Sequence, residues 1–172
     1  MEFLSTKLMS SIGILVSQFV SLEYSIIETI SILMPSVDRN LTSRLLAEDK
    51  FHTLLLKLKR IFLYQIKDKN LKEELDTICT ELKKINLSRN DFIHAIFVTI
   101  GENEIRRFKL KPDIHLPFGF EQKSLKLEDI ENFAERIIKA KESLSVFNEK
   151  IIKLIHPKPT TINVLSMLKK PK

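Results

Sequence analysis

The residues whose types and spacing bear most directly on chemistry sit in one short run, Leu87-Ser88-Arg89-Asn90-Asp91-Phe92-Ile93-His94. An arginine offers a permanent planar cation with a fork of donors that fits phosphate oxygens. A histidine titrates near neutral pH and can take or give a proton. An asparagine between them can orient either group, or a sugar hydroxyl. RNA carries its own nucleophile in the 2′-hydroxyl. Cleaving it therefore needs a base for that proton, an acid for the departing 5′-oxygen, and positive charge on the transition-state phosphate. Arg89, Asn90 and His94 are the residue types that chemistry calls for. On a helix, Asn90 and His94 share a face. Arg89 and His94 lie roughly 140° apart, so the long arginine has to curl toward the same pocket. Ser88 is placed to cap a helix that opens at Arg89. The same residues also fit a plain polar helix start followed by a core histidine.

An arginine followed by four residues and a histidine, with asparagine first among the four, resembles the motif of the HEPN superfamily. These are all-helical proteins that include many prokaryotic ribonuclease toxins. The likeness extends over the helical frame from about Ile12 to Phe97 and, more loosely, over the last helix. It implies a metal-independent endoribonuclease with Arg89, Asn90 and His94 as catalytic residues and 2′,3′-cyclic phosphate products. It further implies a homodimer in which two motifs converge, so that two histidines share the proton transfers. A toxin of this kind acts on RNA and is opposed by an antitoxin protein. A non-catalytic HEPN-like module that binds a protein or nucleotide is the alternative.

The elements that must hold this run read as helices. Ile12, Val16, Phe19, Val20, Ile26, Ile27, Ile30 and Met34 recur at helical spacing, ended by Pro35. Glu23 falls within that stripe, where an unpaired carboxylate is costly. The expectation is that it faces Arg89, directly or through one water, and supports it; a wet edge of the stripe is the other reading. A short helix follows through Leu46, then helices over Phe51 to Ile66 and Leu71 to Ile85. The motif helix is expected to continue toward Ile100, although Val98, Thr99 and Ile100 are β-branched. Glu104 to Lys111 alternates as a strand or extended arm, with Phe118 to Phe120 as its partner. Arg106, Arg107, Lys109 and Lys111 there are candidate RNA-phosphate contacts, or a charged edge that resists aggregation. Leu125 to Ile155 is the last helix. The predicted fold is all-α, an antiparallel bundle of four to five long helices with a short β-hairpin or arm around residues 104 to 120. Residues 1 to 172 form one domain with residues 157 to 172 as a tail, in which Thr160 to Leu168 is apolar.

Composition bounds the rest. At 172 residues and 44% hydrophobic, the chain can bury a core. Its net charge of +6 permits contact with a polyanion. Three glycines disfavour a Gly-rich phosphate loop, and the single cysteine, Cys79, excludes an internal disulfide and suits a reducing cytoplasm. The four histidines are too dispersed for a metal site, and no cofactor motif is present. Gln18, Glu23 and Glu28 interrupt the first apolar stretch, which reads against a membrane span or signal peptide.

Overall fold

The computed structural model describes residues 6–93, 95–100, 104–111 and 119–155. His94 and the tail, 156–172, lie outside them, as do Pro117 and Phe118. The described chain is mostly helical, with a small antiparallel sheet. Its order is α1 (Thr6–Leu33), α2 (Arg39–Leu46), α3 (Phe51–Gln65), α4 (Lys69–Ile93), β1 (Ile96–Ile100), β2 (Glu104–Lys111), β3 (Gly119–Leu125) and α5 (Leu127–Ile155). Four helices are long and α2 is short.

Three helix starts carry side-chain caps. Asp38 accepts from the Leu41 amide, Asp68 from the Leu71 amide and Asp129 from the Lys126 amide. The α2 cap is Asp38, whose carboxylate reaches the otherwise orphan Leu41 amide. A single core joins the helices, centred on Phe19, Leu22, Ile26, Phe62, Leu82 and Phe147, all at most 1% exposed. Phe62 and Phe147 meet with ring centroids 5.8 Å apart.

The apolar stripe of α1 is turned relative to the expected one. Leu8, Leu15, Phe19, Leu22, Ile26 and Ile30 face the core, while Val16 and Val20 point outward at 39% and 59% exposure. Both stripes obey helical spacing, and only the neighbours decide between them.

The bundle is not uniformly antiparallel. Lys141 of α5 donates to Gln18 of α1, and further along both helices Ser25, Glu28 and Ile32 face Ser145, Asn148 and Ile152 across one small cleft. Positions rise together on the two helices, so α1 and α5 run side by side in the same direction. The chain that joins them includes α4, which runs the opposite way along α5. Glu81 of α4 pairs with Arg136 and Glu74 with Lys150.

The chain does not start a new helix at Ser88. One helix runs from Lys69 to Ile93, and Ser88 lies within it. Nothing in Asn86-Leu87-Ser88 breaks a helix. The reason for continuity is packing. Leu82 and Ile85 are fully buried, Arg89 lies on Phe19, and Phe92 stacks on Phe133 of α5 with centroids 5.1 Å apart. Positions 82, 85, 89 and 92 form one face, so tertiary contacts carry the helix past its polar stretch.

The expected helical continuation over Ala95 to Ile100 is also overturned. Ile96 to Ile100 forms β1, as three β-branched residues in a row favour. The arm becomes a three-stranded sheet of order β1-β2-β3 with β2 central. Ile96 pairs with Phe108 and Ile100 with Glu104; Ile105 pairs with Leu125 and Lys111 with Gly119. The last helix starts at Leu127 because Leu125 ends β3, buried beside Ile105.

Candidate functional site at the end of α4

Arg89 occupies the penultimate turn of α4, not the opening turn of a helix. Its guanidinium carbon lies 4.3 Å from the centroid of the Phe19 ring. Phe19 is held in turn by Phe51, centroids 5.1 Å apart. A cation over an aromatic face is attracted by the ring quadrupole. Phe19 therefore acts as a platform for the arginine. Arg89 Nε is shut off from water and has no hydrogen-bond partner. No ion pair between described residues includes Arg89.

Glu23 stands one turn beyond Phe19 on α1 and is half-buried. Burial raises its carboxyl above the ordinary value, and the charge of Arg89 opposes that rise. The two side chains thus feel each other, without a direct hydrogen bond or ion pair between them. Asn90 is half-buried next to Arg89. His94 follows immediately after the described end of α4.

Asp91, two positions after Arg89, is the anchor of this end. Lys109 Nζ donates to its Oδ1 at 2.9 Å. Arg107 donates to its backbone carbonyl at 3.3 Å and lies 3.6 Å from Oδ2. The same guanidinium donates to Glu121 Oε1 at 3.1 Å. Hydrogen bonding by Lys109, reinforced by the charges of Lys109 and Arg107, holds the Asp91 carboxyl below its ordinary value. The carbonyl contact is a helix C-cap made by a cation, where the dipole favours one.

This arrangement redistributes the predicted phosphate contacts. Alternation along β2 sends Ile105, Arg107 and Lys109 to the face that meets the helices, and Arg106 with Phe108 to the other. Arg107 is 3% exposed and neutralised by its carboxylate partners, so it is a structural clamp and not an open phosphate contact. Lys109 spends its charge on Asp91. Arg106 is half-buried on the outer face. Of Lys111, the backbone pairing with Gly119 is what the structure describes.

Sequence reasoning missed Phe19 as the platform and Asp91 as the anchor. The signal for Asp91 was its place in the polar run beside a strand of alternating cations. Cys79 is fully buried, and burial pushes its thiol up to about 11. It is a packing residue and not a nucleophile.

Two grooves of about 570 and 590 Å³ run between α4 and α5. Thr77, Ile78 and Ser143 line both, and neither is lined by Arg89 or Asn90. Their walls hold hydroxyls, carboxylates and lysines, without a histidine or thiol. Among the described residues no cluster of three or more His, Cys, Asp or Glu could hold a metal ion. One described helix, α1, is long and apolar enough to cross a membrane by length and composition, and its other face packs in the core.

No protein-family model matches the chain, and neither a curated protein nor a solved structure is significantly similar to it.

Proposed function

We propose that the end of α4 is the active site of a HEPN-type endoribonuclease that acts without a divalent metal. The observation that carries this reading is the state of Arg89. It is a half-buried guanidinium held on an aromatic face, with a donor unused and no carboxylate in ion-pair contact. A structural arginine in the same molecule, Arg107, also leaves its Nε unbonded but is ion-paired with Asp91 and Glu121. A cation kept in place but left unmatched is suited to an anion that arrives from outside.

In the proposed reaction the 2′-hydroxyl attacks the adjacent phosphorus while a base removes its proton. The bond to the 5′-oxygen breaks, and an acid protonates that oxygen. The products are a 2′,3′-cyclic phosphate and a free 5′-hydroxyl. Arg89 meets the phosphate oxygens, Asn90 orients the ribose or the histidine, and His94 exchanges protons. Base and acid are both needed in one turnover, so a second copy of the chain supplies the second histidine. A ribonuclease of this kind needs restraint in a cell, so a neutralising protein belongs to the same proposal.

Single-stranded RNA with a 5′ label, incubated with excess chelator, tests it. The expected result is cleavage to fragments ending in cyclic phosphate, lowered by about two to four orders of magnitude in His94→Ala. Cleavage that vanishes in chelator and returns with magnesium, or full activity in His94→Ala, contradicts it.

A further inference from the structure

The buried face of α5 is apolar but for one side chain. Leu144, Phe147 and Ile151 are wholly buried, and Asn148 stands among them at 8% exposure. On the facing helix, buried Thr29 donates to the Ser25 carbonyl and buried Ser31 to the Ile27 carbonyl. Asn148 has no such outlet. Its Oδ1 is shut off from water and has no hydrogen-bond partner. An orphan buried amide is costly, and an apolar residue of similar size would avoid the cost.

Asn148 lines a cleft of about 180 Å³ between α1 and α5. At about 30 Å³ for each water of the liquid, that is room for about six waters, or for an organic molecule of about five or six non-hydrogen atoms. Glu28 and Glu149 stand on its two walls, and neither carboxylate is in an ion pair among the described residues. Ser25 beside them gives its proton to the Ser21 carbonyl, which leaves its oxygen only acceptor capacity. The one cation on the walls, Lys141, donates to Gln18 and sits about 10 Å along α5 from Asn148. Ile32 and Ile152 line the other end, in the last turns of α1 and α5. These two helices run in the same direction, so their negative dipole ends add there instead of cancelling.

We infer that this cleft binds a short primary alkylammonium ion from solution. The ammonium head offers three donors, and Asn148, Glu28 and Glu149 supply acceptors for them. The amide presents oxygen or nitrogen by turning over about its last torsion, and two carboxylates beside it favour the oxygen. The alkyl chain lies against Ile32 and Ile152. An anion is opposed by both carboxylates and by the two helix ends. A metal ion is poorly served, since among the described residues no cluster of three or more His, Cys, Asp or Glu could hold one. The cleft lies about 14 Å along α1 from Phe19, and the inference is independent of the cleavage chemistry.

Titration of the ¹⁵N-labelled full chain with n-butylammonium chloride, followed by amide NMR, tests the site. Saturable shifts should gather on Ser25, Glu28, Ser145, Asn148 and Glu149, with a Kd of about 1 mM, as suits so small a ligand. Methylammonium keeps the head but loses the chain, and should bind about ten-fold more weakly or worse. Tetramethylammonium, a cation without N–H donors, and n-butanol, a chain without charge, should give no saturable shift at the same concentrations. Asn148→Leu should be at least as stable as the wild type, because it removes an orphan amide, and should bind about ten-fold more weakly or worse. Glu28→Gln combined with Glu149→Gln alters exposed groups only, so the fold should stay while binding weakens by a similar factor. No saturable shift with n-butylammonium overturns the site in favour of a cleft filled by water. Equal affinity for tetramethylammonium overturns it in favour of general attraction by the carboxylates. Wild-type affinity in the double variant, or in a folded Asn148→Leu, also overturns it. No arm reads RNA cleavage, so this site and the ribonuclease reading fail separately.

Discussion

Two arginines about the end of α4 have opposite surroundings. Arg107 reaches in from the sheet, is almost wholly buried, and meets Asp91, Glu121 and a helix-end carbonyl. Both leave Nε without a hydrogen-bond partner, but Arg89 belongs to the helix itself, lies on Phe19, and has no carboxylate in ion-pair contact among the described residues. Burying a guanidinium is expensive unless acids and acceptors answer it. The answered one therefore belongs to the fold. The unanswered one is tolerated because an aromatic face and partial exposure reduce the cost. Position in the sequence does not separate them, since both lie in polar stretches. Their partners do.

The comparison is broken or sharpened by three substitutions. The largest effect is expected at Arg89. Arg89→Ala should lower RNA cleavage by about two to three orders of magnitude, the usual worth of a transition-state donor. Its stability should fall by no more than about 1 kcal/mol, the size of a cation–aromatic contact at a partly exposed site. Urea unfolding alongside a cleavage assay separates the two effects. Arg107→Ala should do the reverse. It strips charge-assisted bonds from Asp91 and Glu121 and should cost about 2–3 kcal/mol in stability. Arg107→Lys should recover part of that loss, because one ammonium cannot serve both carboxylates and the carbonyl. A stability change at Arg107 no greater than at Arg89 would remove the distinction.

The helices were largely legible before the structure, because their apolar periodicity spans several turns. What was not legible followed from neighbours. Val16 and Val20 satisfy the helical pattern as well as Leu15 and Leu22 do, and the choice of core face depended on where α3 and α5 pack. The end of α4 read as a boundary because Asn86-Leu87-Ser88-Arg89-Asn90 is polar. Phe92 on Phe133 and Arg89 on Phe19 outweighed that local preference. The strand β2 was legible from its alternation, but its central place required a partner on each side, and the sequence of β1 reads as a continuation of the preceding helix. Within the site, the cost of a carboxylate on an apolar stripe pointed to Glu23 as a neighbour of Arg89; the charge of Arg89 acts on its carboxyl, with no hydrogen bond or ion pair between them. The matched state of Arg107 was open to the same argument, since alternation puts it on the face of Ile105.

Two smaller effects depend on pH. Glu23 has a raised carboxyl, from burial first. The folded state then binds its proton more readily than the unfolded chain, so the ionised form opposes folding at neutral pH, and the opposition fades as pH falls through the raised value. Glu23→Gln should therefore be at least as stable as wild type at neutral pH, with the difference closing in acid, while cleavage weakens because Arg89 loses its neighbouring charge. A Glu23→Gln variant that is less stable at neutral pH contradicts this. Asp91 has the opposite sign. Its carboxyl is lowered, chiefly by the bond from Lys109, so its contribution is present above the unfolded value and lost as pH falls through the folded one. Asp91→Asn should lose stability at neutral pH and match wild type in strong acid. The change should be modest, about 1 kcal/mol, because the carboxylate is partly exposed. Thermal unfolding across the acid range reads both slopes.

The most direct measurement is single-turnover cleavage of labelled single-stranded RNA in excess chelator by wild type, Arg89→Ala and Arg107→Lys, each rate divided by the folded fraction in the same buffer. The account predicts that Arg107→Lys retains most of the wild-type rate per folded molecule while Arg89→Ala loses at least about a hundredfold. Equal rates per folded molecule in all three proteins, or no cleavage by the wild type, would contradict it.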